Sequence, residues 1–147
     1  MVKIRPIEER DYPSLIELFQ EFAHFEKTPE KMDNSVERMR KERELFKGFV
    51  AENDTNEVVA YVTYFFTYHT WSGKCLYMDD LYVSKSYRKQ GVGGRLLKQV
   101  IEFAKNQECR DLRWQVSNWN TNAQEFYKSI GAEIDSVEWN CRLPLNS

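Results

Sequence analysis

Two adjacent aspartates, Asp79 and Asp80, interrupt an otherwise apolar and aromatic stretch, CLYMDDLYV, that has the composition of a β-strand. Burying an unpaired charge costs free energy, so carboxylates in such a strand are better explained by function than by packing. They could hold a cationic group or accept a proton. Because successive strand side chains face opposite sides of a sheet, only one of the pair faces a given side unless a β-bulge intervenes.

A basic turn rich in glycine follows this strand. Three of its residues are glycine, and a helical pattern begins within it. The first turn of a helix has backbone N–H groups without partners and the positive end of the helix dipole, and glycine lets a ligand approach the backbone closely. The turn therefore predicts a phosphate or pyrophosphate site; the alternative is a tight strand–helix connection without a ligand. Its residues are Arg88, Lys89, Gln90, Gly91, Val92, Gly93 and Gly94.

Two common nucleotide motifs do not fit this turn. A P-loop requires Lys and then Ser or Thr after its last glycine, whereas Gly94 is followed by Arg95 and Leu96. A dinucleotide fingerprint requires a third glycine in register, and that glycine is missing. The pattern that remains is R-x-x-G-x-G, spelled RKQGVG from Arg88 to Gly93.

Length and composition set the broad class. The chain has 147 residues and a formal net charge of −2, which predicts a single domain, 1–147, and argues against a surface that binds nucleic acid. The sequence has no apolar stretch long enough for a membrane span and its start is unlike a signal peptide, so the expected location is cytoplasmic. Three widely spaced cysteines and two histidines fit neither a disulfide framework nor a metal site.

Hydrophobic periodicity places the remaining elements around these features. It predicts helices at Tyr12–Phe25, Ser35–Phe46, Val92–Ala104 and Thr121–Ile130. It predicts strands at Val2–Arg5, Gly48–Glu52, Val58–Tyr68, Leu76–Val83, Leu112–Ser117 and Glu133–Arg142, with a hairpin turn at residues 53–57. Strands at both ends of the chain and two late strand–helix units predict an α/β (or α+β) domain with a mixed sheet.

Three segments together resemble one enzyme family. They are FAHFEK near the end of the first helix, the long stretch YFFTYHTWSGKCLYMDDLYVSKSYRKQGVG, and NWNTNAQEFYKSIGA. In type and in order they resemble the diamine (spermidine/spermine) acetyltransferase and thialysine acetyltransferase branch of the GNAT superfamily. The resemblance implies a mixed sheet of six to seven strands flanked by helices, in which two central strands, Leu76–Val83 and Leu112–Ser117, splay apart.

The resemblance also implies acetyl-CoA as co-substrate, with no metal. Its pantetheine arm would pair with main-chain groups of Leu81 and Val83, and its pyrophosphate would lie on the turn from Arg88 to Gly94. Asn120 and Tyr127 match positions where the family has residues beside the cofactor.

Roles at the reacting centre follow from the same resemblance. Tyr127 matches the general acid that protonates the leaving thiolate, although an ordinary helix aromatic is the alternative. Asp79 stands where the diamine enzymes have a glutamate, and it would accept the amine proton directly or through water. Asp80 matches a family aspartate, and Glu26 and Trp71 match residues of the acceptor site. A solvated loop carboxylate and a packing tryptophan are the alternatives for those last two.

The acceptor is the least determined feature. Acidic residues favour a small cationic amine such as a polyamine or diamine, but His69 replaces an aspartate of the diamine enzymes. That replacement leaves room for thialysine or another lysine-like amine, and more remotely for a protein lysine or an antibiotic amine. A module that binds acetyl-CoA without turnover is a further hypothesis. The resemblance also suggests a homodimer in which the C-terminal segment VEWNCRLPL takes part, because an unpaired apolar edge invites a partner.

Overall fold

A five-stranded mixed sheet forms the scaffold of the protein. The computed structural model describes residues 1–145, and each strand in the sheet hydrogen-bonds to the next one along the chain. The first four strands are antiparallel neighbours, and the fifth is parallel to the fourth. The mixed sheet agrees with the predicted fold class. The strands are β1 (Lys3–Pro6), β2 (Lys47–Glu52), β3 (Val58–His69), β4 (Gly73–Val83) and β5 (Leu112–Arg113).

Four α-helices accompany the sheet. They are α1 (Tyr12–Phe25), α2 (Val36–Lys41), α3 (Val92–Asn106) and α4 (Thr121–Ser129), with short 3-10 turns at Glu9–Asp11, Pro29–Lys31, Arg43–Leu45 and Lys85–Tyr87. The bounds of α1 agree with its predicted span, because its apolar residues repeat at helical spacing and bury one face. The predicted helix Ser35–Phe46 is only partly helical: α2 ends at Lys41 and a 3-10 turn follows.

Helices α1 and α3 cover opposite faces of the sheet. Phe19 of α1 contacts Tyr61 of β3 with ring centroids 5.1 Å apart. Phe103 of α3 contacts Tyr64 of the same strand at 4.8 Å. Since Tyr61 and Tyr64 lie three residues apart, they point to opposite faces. The sheet is therefore a layer between two helices.

A β-bulge at Asp79 changes the alternation of β4. Tyr64 lies opposite Met78 and Thr63 lies opposite Asp80, so Asp79 has no residue opposite it in β3. Beyond the bulge, Tyr82 lies opposite Tyr61 and on the α1 face. Without the extra residue, Asp80 and Tyr82 would share the α3 face with Met78. The bulge therefore turns Asp80 towards the side of the sheet that α1 covers.

Two strand predictions at the C-terminal side need correction. Strand β5 contains Leu112 and Arg113, whereas the sequence predicted a strand from Leu112 to Ser117. Residues 133–142, predicted as the final strand Glu133–Arg142, have no strand structure, and the sheet accordingly has five strands among residues 1–145 instead of six or seven. A strand forms only where its N–H and C=O groups find partners, and within residues 1–145 this segment pairs with no strand.

The described chain divides into two compact units, Met1–Trp114 and a second that begins at Gln115. The first contains the whole sheet with α1, α2 and α3, and the second contains α4. The prediction of a single domain over 1–147 stays a prediction. Within residues 1–145, every helix is too short or too polar to cross a lipid bilayer.

Candidate active site

Asp80 is the most strongly perturbed carboxylate on the α1 face of the sheet. It is half-buried, and the hydroxyl of Tyr61 donates a hydrogen bond to its Oδ2 over 3.2 Å. Burial, the charge of Asp79 and the charge of Glu26 together raise the pKa of Asp80 to about 7, although the Tyr61 hydrogen bond acts in the opposite direction. Asp80 therefore changes its protonation state near neutral pH.

Asp79 differs from its neighbour in exposure. Its side chain is exposed at the bulge, yet nearby protein atoms partly desolvate the carboxylate and raise its pKa. Tyr77, two residues earlier, has its pKa raised by burial and by the charges of both aspartates. The two carboxylates are therefore close enough to interact, and together they form an acidic site at one point of the strand.

The hydroxyl of Tyr82 connects the sheet to α1 and to the basic turn. It donates to Oε2 of Glu21 at 2.6 Å and accepts a hydrogen bond from Nη2 of Arg88 at 3.0 Å. The ring of Phe22 stacks on Tyr82 with centroids 4.9 Å apart. Burial and the Glu21 carboxylate raise the pKa of Tyr82 to about 12, so the phenol remains protonated at neutral pH.

Arg88 is held by the protein's own groups. Its Nε donates to the carbonyl oxygen of Val83 at 2.9 Å, and its guanidinium lies 4.9 Å from the ring centroid of Phe25 and 5.3 Å from that of Tyr82. These contacts link the end of β4, the end of α1 and the start of the turn. Arg88 therefore fixes the shape of the turn, in addition to bringing a positive charge to it.

The turn after Arg88 has the backbone conformation that its glycines permit. Gly91 precedes α3 in the left-handed region with φ +79°, and Lys89 has φ +63°. No side chain caps the first turn of α3, and the first intrahelical bond comes from the N–H of Arg95 to the carbonyl of Gly91. The N–H groups at the start of α3 therefore remain available to an anion.

One edge of β4 is unpaired along its second half. Its pairing with β5 covers Leu76 and Tyr77 only, whereas Leu81 and Val83 pair on their other side with β3. Among residues 1–145, no strand pairs with this edge beyond Tyr77. The main chain from Met78 to Val83 can therefore offer N–H and C=O groups to an extended ligand.

Two further residues predicted for the acceptor site lie in different places. Glu26 follows α1 directly, and its charge acts on Asp80, so it belongs with the acidic pair. Trp71 is fully exposed in the loop between β3 and β4. Asp80 lies seven positions further along the extended strand than Gly73, which corresponds to a distance of roughly 20 Å. Within one chain, the structure therefore does not bring Trp71 to the carboxylates.

His69 lies near the same loop as Trp71. Its Nε2 is 3.1 Å from the hydroxyl of Thr67, and its Nδ1 is 3.5 Å from Nη1 of Arg113. Arg113 also approaches Ser72 and Asp111. The positive charge of Arg113 is therefore paired with the carboxylate of Asp111, 3.3 Å away.

In the second unit, Tyr127 lies on α4, and Asn120 directly precedes that helix. The side chain of Asn120 caps the helix by accepting a hydrogen bond from the N–H of Ala123 at 3.2 Å. Its amide NH₂ can still donate. Tyr127 is half-buried, and burial raises its pKa, which keeps the phenol protonated through the neutral range. Both side chains are therefore in states that suit the predicted roles.

Three residues of the site were not predicted from the sequence, namely Tyr61, Tyr82 and Glu21. The tyrosines appeared as ordinary strand aromatics, and their hydroxyl partners depend on the register between β3 and β4. Glu21 appeared on the polar side of α1. Among the described residues no group of three or more His, Cys, Asp or Glu is placed to hold a metal ion.

Comparison with known proteins gives a consistent family. The profile of the acetyltransferase (GNAT) family matches residues 12–132. Thialysine N-epsilon-acetyltransferase of Bos taurus is 35% identical over 153 residues, which cover 95% of this chain and 90% of the relative. Spermidine/spermine N(1)-acetyltransferase-like protein 1 of Homo sapiens is 31% identical over 147 residues, which cover 92% of this chain and 21% of the relative.

Solved structures have the same fold. An aminoglycoside acetyltransferase from an uncultured soil metagenomic sample superimposes with a TM-score of 0.81 at 24% identity, covering 97% of each chain. An integron cassette protein of V. cholerae superimposes with a TM-score of 0.78 at 25% identity, covering 99% of this chain and 93% of that one.

Proposed function

This chain belongs to the acetyltransferase (GNAT) family, and from that premise we propose that it transfers the acetyl group of acetyl-CoA to a primary amine of a small cationic molecule. The observation that supports this proposal most directly is the acidic site at the β4 bulge. Asp79, Asp80 and Glu26 together give a concentration of negative charge that an ammonium group would neutralise. The site lies on the strand whose unpaired edge leads to the glycine turn.

The cofactor, in this proposal, binds along β4 and the turn. The main chain of Leu81 and Val83 pairs with the amide groups of the pantetheine arm. The pyrophosphate lies against the N–H groups at the start of α3, with the charge of Lys89 nearby. Gln90 and Lys89 are exposed and can reach the phosphates, whereas Arg88 holds the turn in place.

The reaction is direct attack of the amine on the thioester carbonyl. An alkylamine has a pKa of about 10.4 and arrives protonated, so a base must first remove one proton. An aspartate of the acidic site takes this proton, and Tyr127 donates a proton to the sulfur of the leaving thiolate. A backbone N–H of the unpaired β4 edge stabilises the oxyanion.

Thialysine or a similar lysine-like amino acid is the acceptor we favour. Relatives that match nearly the whole of this chain are named for thialysine. A polyamine or diamine is the second candidate, because the acidic site suits any alkylammonium group and a spermidine/spermine acetyltransferase-like relative also matches.

An acetylation screen tests the proposal. Purified protein is given acetyl-CoA with thialysine, lysine, ornithine, spermidine, spermine or a diamine, and released thiol is followed together with the mass of the product. We expect the highest kcat/KM for thialysine or another lysine-like amine. A higher value for spermidine would move the assignment to polyamines. Binding of acetyl-CoA without thiol release from any amine would indicate a module without turnover.

We further propose a homodimer and a cytoplasmic location. The exposed apolar residues after α4 support the first, and they include Val137, Trp139, Leu143 and Leu145. Cys75, Cys109 and Cys141 are free thiols in the structure, which is compatible with a reducing compartment.

A further inference from the structure

We infer that Asp80, held in place by the buried hydroxyl of Tyr61, accepts the proton from the amine substrate, and that Asp79 contributes charge to the site without accepting this proton. The inference rests on the proposed function and assigns the base within it. It differs from the sequence-based hypothesis, in which Asp79 was the proton acceptor. The geometry of the bulge and of the hydrogen bond supports the new assignment.

The bulge gives the two carboxylates different environments. Asp79 is the residue without a partner in β3, and its side chain is exposed. Asp80 lies opposite Thr63 on the α1 face and is half-buried. A general base must be held within hydrogen-bond reach of one atom of the substrate, and only Asp80 has its direction fixed by the protein.

Tyr61 supplies that fixed direction. Its ring has 0% exposure and lies between Phe19, at 5.1 Å, and Tyr82, at 6.3 Å. The hydroxyl reaches Oδ2 of Asp80 at 3.2 Å, which leaves Oδ1 for the substrate. Because Tyr61 is fully buried, it touches no substrate, and its part in the reaction is to position Asp80.

The electrostatic surroundings suit a base that works at neutral pH. Three groups act on the Asp80 carboxylate. The negative charges of Asp79 on β4 and of Glu26 at the end of α1 raise its pKa, and the Tyr61 hydroxyl on β3 donates a hydrogen bond to it. Tyr82 lies on the same face, where its hydroxyl is bound to Glu21 and Arg88. Burial and two like charges raise the pKa of Asp80 to about 7, and the Tyr61 hydrogen bond limits the rise. Catalytic bases are most efficient when their pKa is near the working pH.

The carboxylate of Asp80 takes one proton from the ammonium group and leaves a neutral amine. The amine forms a C–N bond to the acetyl carbon while the C–S bond breaks, and Tyr127 protonates the departing sulfur. The second nitrogen proton returns to Tyr127, directly or through solvent, and Asp80 releases its proton to water. The products are the acetamide, CoA thiol and one proton.

Kinetics of three variants test the assignment, with the best amine from the screen. Asp80→Asn should lower kcat at pH 7 by about 10²-fold or more, since general-base contributions are of that size. Asp79→Asn should lower kcat less than Asp80→Asn does and should raise KM for the amine, because Asp79 contributes charge to the site; its acidic limb should move to lower pH because a like charge beside Asp80 is removed. Tyr61→Phe should move the acidic limb to higher pH and recover most of the rate at alkaline pH.

Tyr64→Phe is the matched control for Tyr61→Phe. Tyr64 is on the same strand, is also buried and packs on Phe103, but it lies on the α3 face. Tyr64→Phe also removes one phenol hydroxyl from a buried tyrosine, and it should leave the pH dependence of kcat unchanged. The amine substrate ionises identically with all variants. A difference between their pH profiles therefore arises from a group of the enzyme.

A titration independent of activity completes the test. In protein labelled with ¹³C at the aspartate carboxyls, Asp80→Asn identifies the Asp80 signal, and Tyr61→Phe should raise its midpoint. Turnover by Asp80→Asn near the wild-type rate, or superimposable profiles of wild type and Tyr61→Phe, would overturn the inference while leaving the acetyltransferase proposal intact. If wild type acetylates no amine of the panel, the proposed function fails, and the role of Asp80 fails with it.

Discussion

At the scale of single residues, the ionised form of the Asp80 carboxylate destabilises the folded protein. The pKa of Asp80 is about 7 in the folded chain, against an ordinary value of 3.8. Between these two pH values the folded state keeps a proton that the unfolded state releases. The contribution of Asp80 to the free energy of unfolding therefore decreases as pH rises from about 4 to about 7, and then stays constant.

Replacing this residue should exchange activity for stability. Asp80→Asn removes the buried charge but keeps the size and a hydrogen-bonding oxygen for Tyr61. We expect its free energy of unfolding to exceed that of wild type at pH 8, by an amount on the order of a few kcal/mol, with little difference near pH 4. Urea unfolding at both pH values measures the effect.

Asp33→Asn provides the comparison for that experiment. The carboxylate of Asp33 is 87% exposed and lies 3.9 Å from Arg38, so its removal should change stability little at either pH. An equal stability difference at pH 4 and pH 8 for Asp80→Asn would show that Asp80 has an ordinary pKa in the folded protein.

The phenol of Tyr127 gives a second prediction at this scale. Because burial raises its pKa, the phenol stays protonated at neutral pH, as the proposed role of proton donor requires. Tyr127→Phe should lower kcat by about 10²-fold while the Kd for acetyl-CoA changes by less than about threefold. Stopped-flow thiol release and calorimetric titration measure the two quantities. The exposed Tyr68 serves as control, since Tyr68→Phe should alter neither.

At the scale of elements, the parts of the fold predicted from sequence are those that depend on local pattern. Helix α1 and the hairpin between β2 and β3 follow from periodicity and turn composition, and the structure confirms them. The family motifs predicted the acidic pair and the glycine turn, and the structure places both on or next to β4. Their roles in binding and catalysis remain proposals.

The register between β3 and β4 could not be predicted from local pattern. Counting back from the pair His69–Gly73 without a bulge would place Thr63 opposite Asp79, whereas Thr63 lies opposite Asp80. A shift by one residue exchanges the faces of every following side chain. The partnership of Tyr61 with Asp80, and that of Tyr82 with Glu21 and Arg88, therefore could not be deduced from residue types alone.

The glycine turn gives a prediction for an element. Gly91 has φ +79°, and no atom lies within 4 Å of the point where a Cβ would stand, so strain and not crowding opposes a side chain in the free protein. Valine, which is β-branched, tolerates this conformation poorly. Gly91→Val should shift the turn and the start of α3 and weaken acetyl-CoA binding at least tenfold, measured by calorimetry.

Gly73→Val serves as the control that distinguishes general backbone strain from a specific loss of acetyl-CoA binding. Gly73, the first residue of β4, has φ +90° and equally open surroundings. Gly73→Val imposes a similar backbone cost away from the turn, and its affinity for acetyl-CoA should match that of wild type. Wild-type affinity in a folded Gly91→Val variant would remove the phosphate site from this turn.

At the scale of the whole molecule, the segment after α4 exposes apolar side chains whose role the fold does not explain. Residues 133–142 carry a β-rich sequence yet form no strand, and Val137 and Trp139 are 83% and 90% exposed. Leu143 and Leu145 are similarly exposed. Apolar side chains so close together usually mark an interaction site. A second copy of the chain could supply the backbone partners that this segment lacks within its own chain.

Sedimentation velocity tests this proposal. Wild type should sediment as a dimer at micromolar concentration, and Trp139→Ser combined with Val137→Ser should shift the population towards monomer. Leu45→Ser is the matched control: Leu45 is 70% exposed in the 3-10 turn Arg43–Leu45, and its loss should not alter the association. A monomer for wild type at these concentrations would exclude the homodimer. The same result for all three proteins would place any interface outside the C-terminal segment.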